Sequence, residues 1–452
     1  MLAGALFIAA GAAFWLLRRP RPPAASPLTS AVPATAITTV PTTAPAPPAL
    51  FVETQLDPTP PETALDAAVL KADADRALAL ARRAGQGAQL GREDVATAED
   101  LHSRHPDQPA VRSLLGTVLM TAAQQQQSKA QLDEAERHLR RAVEVLEGNV
   151  APRVALANLL LEKGDWIGAE AAARQVLSLD PRDDKALHAL AFALFRQDRN
   201  REARQALEDA LAISEDPGAR ALLERIAKAA GDESGMREQG IAHFHVRYDG
   251  DAHEAVGREI LRILERHYAQ LTVVFGHQPQ VPIPVILFGQ QAYYDASGAP
   301  AWSGGVYDSL DGRIRIPIGG LTTSLTADVD STLLHEITHA FIAERTAGTC
   351  PRDIHEGLAQ YMEGKRLEAL LTEKERAALA NGRIGGVHGF YLGALAFVEE
   401  LIGSRGMGGI GDLLRVMGET RNVDRAFEQV HGQDYAATKR GWATRFQRRY
   451  GG

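Results

Sequence analysis

A 34-residue periodicity in the middle of the chain restricts its fold more than any other feature. Ala135, Ala169 and Ala203 are each separated by 34 residues. The surrounding segment, from Glu62 to Asp232, has apolar residues at three- and four-residue spacing, which is typical of amphipathic helices. Small residues at a fixed step let two helix axes cross closely. The sequence therefore predicts an all-α solenoid built from helix-turn-helix units.

The period and its small crossing residues resemble the tetratricopeptide repeat. Two units are regular, and each ends at an Asp-Pro pair, Asp180-Pro181 or Asp216-Pro217, that stops its second helix. In an earlier unit, Gln124–Gln127 and the following Ser128-Lys129 are predicted to lengthen the turn between the helices. We expect three or four repeats within residues 62–235. The resemblance implies a surface that binds a protein partner or a peptide, and a plain spacer is the other interpretation.

The first residues have a different composition from the rest of the chain. Residues 2–17 are apolar and uncharged, and Arg18 and Arg19 follow them, which predicts a membrane anchor or signal-like helix over residues 1–19. The positive-inside rule places the remainder in the cytoplasm. The Pro/Ala/Thr-rich linker at residues 20–61 is instead typical of an external stalk. The sequence predicts a single-pass N-terminal transmembrane helix and leaves open the side of the membrane and whether the helix is cleaved.

Length and composition restrict the remaining classes. With 452 residues the chain is long enough for two folded domains and accessory segments. The formal charge is −8 and no long Lys/Arg block occurs, so no nucleic-acid partner is expected. Cys350 is the only cysteine, which excludes an intramolecular disulfide. Stability must come from burial and, where ligands converge, from a metal.

After Asp232 the pattern changes from purely helical to mixed, and we predict an α+β domain over residues 240–452. Two short runs flank an Asp-Gly turn and are expected to pair as a hairpin. The second of these runs is also a candidate edge strand for an extended peptide. In chain order the predicted segments are strand His243–Tyr248, helix Ala252–Phe275, strand Ile283–Phe288, the runs Gly305–Tyr307 and Arg313–Ile318, and helix Thr326–Ala343.

The last of these helices contains the motif His335-Glu336-Ile337-Thr338-His339. Residues at i and i+4 lie on one helical face, so the two imidazoles of His335 and His339 can bind one metal ion. The carboxylate of Glu336 neighbours that face and reaches a water on the open coordination position, where it can act as a general base. The spacing therefore predicts a metal centre.

A second segment, Ile354-His355-Glu356-Gly357-Leu358-Ala359-Gln360-Tyr361, follows this helix, with Glu356 17 residues after His339. The motif pair HEITH and EGLAQY resembles the gluzincins, and within them the peptidase MA-like metallohydrolases, from about His243 to the C-terminus. The resemblance implies a zincin-like metallopeptidase fold, bound Zn²⁺ and Glu356 as third ligand. His355 is the rival ligand, because imidazole also binds zinc. Adjacent helical residues point about 100° apart, so only one of the two is expected to bind.

Further site residues follow from the same resemblance. Family members carry a tyrosine at the start of a helix similar to the one that follows His388-Gly389-Phe390-Tyr391. Tyr391 is therefore the expected donor to the oxyanion and His388 the alternate, while simple packing of the tyrosine is the other interpretation. Some gluzincins carry an aspartate four residues after the glutamate ligand, where it orients a ligand histidine. Gln360 occupies that place here, so the orienting group must be an amide or lie elsewhere.

These features together predict a zinc metallopeptidase, a hydrolase whose substrate is a peptide or protein. Glu336 is expected to take a proton from the attacking water and to deliver it to the leaving amine. An alternative from another class is a non-catalytic repeat scaffold or assembly factor with a metal- or peptide-binding zincin-like domain. Hydrolysis of a non-peptide bond is a third interpretation. The sequence identifies neither the substrate nor the partner of the repeats.

Overall fold

The structure, a computed structural model, describes residues 7–8, 71–248, 254–297, 304–318 and 327–451. The described residues form two compact units. One comprises residues 71–231 with Glu419–Asn422, and the other comprises the remainder. Among the described helices, none has the length and apolar character needed to cross a membrane. Phe7 and Ile8 form a short strand and not part of a helix, so the prediction of a helix at 1–19 is wrong at these two residues. The rest of that segment and the predicted linker at 20–61 lie outside the described residues.

The first unit is an array of helices, as the periodicity predicts. Consecutive helices joined by short turns pack as the pairs α3–α4, α5–α6 and α7–α8. Gln124–Gln127 form the last turn of α3, so their predicted place in a turn is wrong, whereas Ser128 and Lys129 lie in the turn as predicted. The helices are α1 (Lys71–Gly85), α2 (Arg92–Arg104), α3 (Pro109–Gln127), α4 (Leu132–Val145), α5 (Ala151–Lys163), α6 (Trp166–Leu179), α7 (Asp184–Arg196), α8 (Asn200–Ile213) and α9 (Pro217–Asp232).

The small residues that carry the period lie where helices pack. Ala135, Ala169 and Ala203 occupy equivalent places on α4, α6 and α8, and each is 0% exposed. A larger side chain at such a place would force the neighbouring helices apart. The predicted helical repeat is therefore confirmed, together with its steric reason.

Polar contacts follow the same 34-residue step. Glu170 on α6 accepts a hydrogen bond of 2.8 Å from Nε2 of Gln197, which lies just after α7. The residues 34 positions earlier make the equivalent contact, because Nζ of Lys163 donates to Glu136 at 2.6 Å. Each partly buried carboxylate thus joins the second helix of one unit to the end of the first helix in the next.

The second unit contains a six-stranded mixed sheet in the order β1-β5-β6-β4-β3-β2. The strands β3, β4 and β6 are parallel neighbours, whereas β2 pairs antiparallel with β3, and β5 with both β6 and β1. The bounds are β1 (Phe7–Ile8), β2 (Arg237–Ile241), β3 (Phe244–Tyr248), β4 (Ile283–Phe288), β5 (Val306–Asp308) and β6 (Arg313–Pro317).

The sheet confirms one prediction about the short runs and overturns another. The hairpin exists, because Asp308 of β5 pairs with Arg313 of β6, and Gly312 takes φ of 71° in the turn between them. The run Arg313–Ile318 is not an edge strand, because β6 lies between β5 and β4. The parallel pairing of β6 with β4 places β6 inside the sheet. Because β4 is distant in sequence, no local sequence pattern predicts this pairing.

The described residues of this unit also form nine helices, which cover and extend the sheet. Among them α12 is the central helix, since it packs against α10, α13 and β5. Leu333, Ile337 and Phe341 of α12 are completely buried in the main core. The bounds are α10 (Glu254–Phe275), α11 (Gln290–Ser297), α12 (Ala327–Arg345), α13 (Arg352–Met362), α14 (Leu367–Leu370), α15 (Glu373–Ala380), α16 (Gly386–Thr420), α17 (Val423–His431) and α18 (Tyr435–Tyr450).

Candidate metal centre

Three metal-binding side chains converge between α12 and α13. His335 and His339 lie one turn apart on α12, and Oε2 of Glu356 on α13 is 3.7 Å from Nε2 of His335 and 3.6 Å from Nε2 of His339. The ligand atoms of all three lie within 4.8 Å of one another. Ligand atoms around a tetrahedral zinc ion lie about 3.3–3.6 Å apart, given bonds of about 2.0–2.2 Å. The three groups are thus close to the spacing that one shared ion requires.

The environment of Glu356 tests whether a metal fits. Its side chain is 0% exposed, and neither oxygen forms a hydrogen bond with any residue in the described ranges. Burying a carboxylate without hydrogen bonds costs on the order of several kcal/mol. A cation between the three side chains would supply the missing interaction. Two imidazoles and one carboxylate suit zinc, whereas calcium and magnesium prefer oxygen ligands.

His355, the rival ligand, lies behind His339. The two Nδ1 atoms are 2.6 Å apart, while Nε2 of His339 faces Glu356. Burial lowers the pKa of His355 to about 3, and the charge of His335 adds to the effect. His355 is therefore neutral and can accept the Nδ1–H of His339. With the proton on Nδ1, Nε2 of His339 has a free lone pair. This is the tautomer that a metal ligand needs.

Glu363 provides the carboxylate that the family pattern places elsewhere. Its Oε1 lies 3.4 Å from Nδ1 of His335, it also pairs with Lys365, and its side chain is 3% exposed. Burial lowers the pKa of His335, but Glu363 and Glu356 outweigh burial and raise that pKa to about 10. Gln360 does not contact the histidine, because its amide donates to the carbonyl oxygens of Glu356 and Tyr391 at 3.2 and 2.9 Å.

Glu336 lies between the ligand pair and strand β5. Burial raises the pKa of Glu336 to about 8, with Glu356 and Glu363 adding to the effect and His335 opposing it. A Cβ atom on Gly305, just before β5, would lie 3.0 Å from Cγ of Glu336. The Glu336 side chain therefore fits at this place because residue 305 is a glycine. A carboxyl whose pKa is close to neutrality can both accept and release a proton.

Of the two candidate oxyanion donors, the structure brings only Tyr391 towards the ligand group. Tyr391 is 5% exposed. Burial raises its pKa, the nearby charge of Glu356 adds to the effect, and the positive charge of Arg352 opposes it. The hydroxyl therefore keeps its proton and can donate it to an acceptor. His388, in the first turn of α16, is exposed to solvent.

Two residues near the centre, Glu363 and Arg352, were not predicted from the sequence. Their spacing from Glu356 is the only sequence feature that indicates them. Glu363 stands seven residues after Glu356, about two helical turns, which is the spacing of one helical face. Arg352 stands four residues before Glu356, also on that face. The sequence motif alone ends at Tyr361 and contains neither residue.

Comparison with known proteins bears on the repeat unit. Residues 160–226, from the end of α5 into α9, match the family model of the tetratricopeptide repeat. A solved tetratricopeptide repeat protein from Parabacteroides merdae is similar, with 15% identity, a TM-score of 0.32, and coverage of 66% of this chain and 96% of that one. No curated protein matches the chain. The chain therefore contains a tetratricopeptide repeat region, a class of repeat that mediates contacts between proteins.

Proposed function

We propose that the C-terminal unit is a zinc-dependent peptidase whose substrate is a peptide or a protein. The observation that carries the proposal is the convergence of His335, His339 and Glu356, with Glu336 beside them in a buried pocket of polar groups. The likeness of HEITH and EGLAQY to the gluzincin motifs supports a peptide bond as the target. The mixed sheet that precedes α12 is in keeping with the same proposal.

The mechanism assigns one task to each residue. His335, His339 and Glu356 would hold the ion, and zinc bound there would polarise a water molecule and the scissile carbonyl. Glu336 accepts a proton from the attacking water and later donates it to the nitrogen of the leaving amine. The raised pKa of Glu336 suits both transfers. The Tyr391 hydroxyl donates a hydrogen bond to the carbonyl oxygen as negative charge develops there.

The other parts of the chain have supporting roles in this proposal. The tetratricopeptide repeat region, matched over residues 160–226, holds a protein partner or presents the substrate protein. In this proposal the apolar segment at residues 1–19 attaches the chain to a membrane, a state in which Phe7 and Ile8 would leave their pairing with β5. A second candidate function, favoured by the repeat region, is a scaffold or assembly factor whose metal centre binds zinc or a peptide without hydrolysis.

The substitution Glu336→Gln tests the mechanism. It keeps the shape of the side chain but removes the proton acceptor, so zinc content should be unchanged while peptide cleavage falls at least about a hundredfold. The measurements are zinc per chain by elemental analysis and cleavage of an unfolded protein by the full-length chain. Glu344→Gln, the same change elsewhere on α12, is the control and should cleave like the native chain.

Two results would contradict this account. Full activity in the Glu336→Gln chain would refute the role of that carboxylate. Stoichiometric zinc in the native chain without hydrolysis of varied peptides would refute the peptidase and favour the scaffold.

A further inference from the structure

Arg352 lies near the proposed centre but has no role in the proposed hydrolysis. It begins α13, one helical turn before Glu356, and is exposed to solvent. Its guanidinium carbon lies 4.9 Å from the centre of the Phe390 ring, and its positive charge acts on the neighbouring Tyr391 hydroxyl. The side chain therefore spans from solvent to the expected oxyanion donor.

No carboxylate among the described residues pairs with Arg352, in contrast to other arginines of this unit. Arg315 pairs with Asp311 at 2.5 Å, and Arg266 pairs with Asp330 at 2.8 Å. Arg352 also stands at the start of α13, one helical turn before Glu356, which places its charge beside the proposed centre. A cation beside a site for another cation is unfavourable unless an anion joins them.

The orientation of the stacked guanidinium indicates which kind of anion it can bind. Stacking on Phe390 uses the face of the planar group and fixes its orientation. The N–H donors point outward in the plane of the group, where they match the two oxygens of one carboxylate. An arginine held in this way loses little freedom when such a ligand binds.

We propose that Arg352 binds a carboxylate of the substrate, so that the enzyme prefers peptides with an anionic group next to the scissile bond. The proposal rests on the proposed peptidase function. The carboxylate comes from one of two sources, the free C-terminus of a short peptide or an Asp or Glu side chain. Both present the same pair of oxygens to the guanidinium.

The test compares three peptides of one sequence: a free C-terminal acid, its C-terminal amide, and the amide with Glu beside the cleaved bond. The full-length, zinc-loaded chain should favour at least one carboxylate peptide over the plain amide by about tenfold or more in kcat/KM. Arg352→Gln should reduce that ratio to about one, because it should lower kcat/KM for the carboxylate peptides by at least about tenfold more than for the plain amide. Whichever carboxylate peptide shows the preference identifies the source.

Two further variants separate recognition from structure. Arg352→Lys keeps the charge without the planar fork and should show an intermediate preference. Arg366→Gln is the matched control, because Arg366 also stacks on a ring, that of Tyr361 at 3.5 Å, and should behave as the native chain. Equal losses on all three peptides in the Arg352 variants would overturn the proposal, since they would indicate a general structural role.

A binding measurement distinguishes failure of the proposed role of Arg352 from failure of the proposed peptidase function. Calorimetry on the zinc-loaded Glu336→Gln chain should show tighter binding of the carboxylate peptide, and the added change Arg352→Gln should remove that difference. A difference in binding without any cleavage by the native chain would contradict the peptidase and support Arg352. Cleavage of the three peptides at equal rates would overturn the role of Arg352 and leave the peptidase standing.

Discussion

His335 lies between two carboxylates. Oε2 of Glu356 is 3.7 Å from Nε2, and Oε1 of Glu363 is 3.4 Å from Nδ1. The negative charge of Glu363 behind the ring increases the basicity of the nitrogen that faces the other ligands. Glu363 thus supplies the negative charge beside His335.

Substitution of Glu363 by Gln removes the charge behind His335 and should weaken zinc binding about 10- to 100-fold. The dissociation constant is measured by competition with a chelator of known affinity. Glu368→Gln is the control, because the Glu368 side chain is 68% exposed and lies outside the centre. Equal affinity in the Glu363→Gln and native chains would refute the orienting role.

At this scale the sequence predicts direct ligands better than the residues behind them. Helical spacing alone indicates that His335 and His339 share a face, and the structure places them so. The contact of His355 with His339 depends on the rotation of α13 about its own axis, which is set by packing against α12 and α16. No local pattern encodes that rotation, so His355 could be read as a ligand.

The position of Glu356 depends on a close crossing of two helices. A Cβ atom on Gly357 of α13 would lie 2.3 Å from the carbonyl oxygen of Ala394 and 2.6 Å from Cγ2 of Val398, both on α16. The obstacle includes backbone, which cannot move aside as a flexible side chain can. The glycine of the EGLAQY motif therefore sets the distance between the helix that carries Glu356 and its neighbour.

Gly357→Ala should move α13 away from α16, which would lower the free energy of unfolding by about 1–3 kcal/mol and weaken zinc binding. Denaturant unfolding and zinc titration of the full-length chain measure the two effects. Gly393→Ala on α16 is the control, since a Cβ atom there meets no atom within 4 Å, and it should be neutral or slightly stabilising. Native stability in the Gly357→Ala chain would contradict the steric argument.

Elements with strong local patterns were predicted well, and those set by distant pairing were not. The buried strand Ile283–Phe288 has the predicted bounds. Strand β2 (Arg237–Ile241) was missed because its mostly exposed residues lack an apolar alternation. The central place of β6 was missed because strand order arises from crossovers between distant segments.

The two units of the molecule differ in how far the sequence determines them. In the repeat unit each helix contacts its neighbours in sequence, so a 34-residue period is enough to predict its architecture. The unit with the metal centre joins β3, β4, β6, α12 and α13 through contacts between distant parts of the chain. The convergence of its three candidate ligands was predictable from two short motifs, whereas the arrangement of the residues around them required the structure.

Metal content is the most direct test of the central claim, that two imidazoles and a carboxylate hold one zinc ion. The purified full-length chain should contain one zinc per chain, and zinc should raise the unfolding temperature of the metal-free chain. His339→Ala should lose both properties, while His388→Ala, which changes an exposed histidine, should keep both. A native chain without zinc, or a His339→Ala chain that binds zinc equally well, would contradict the account.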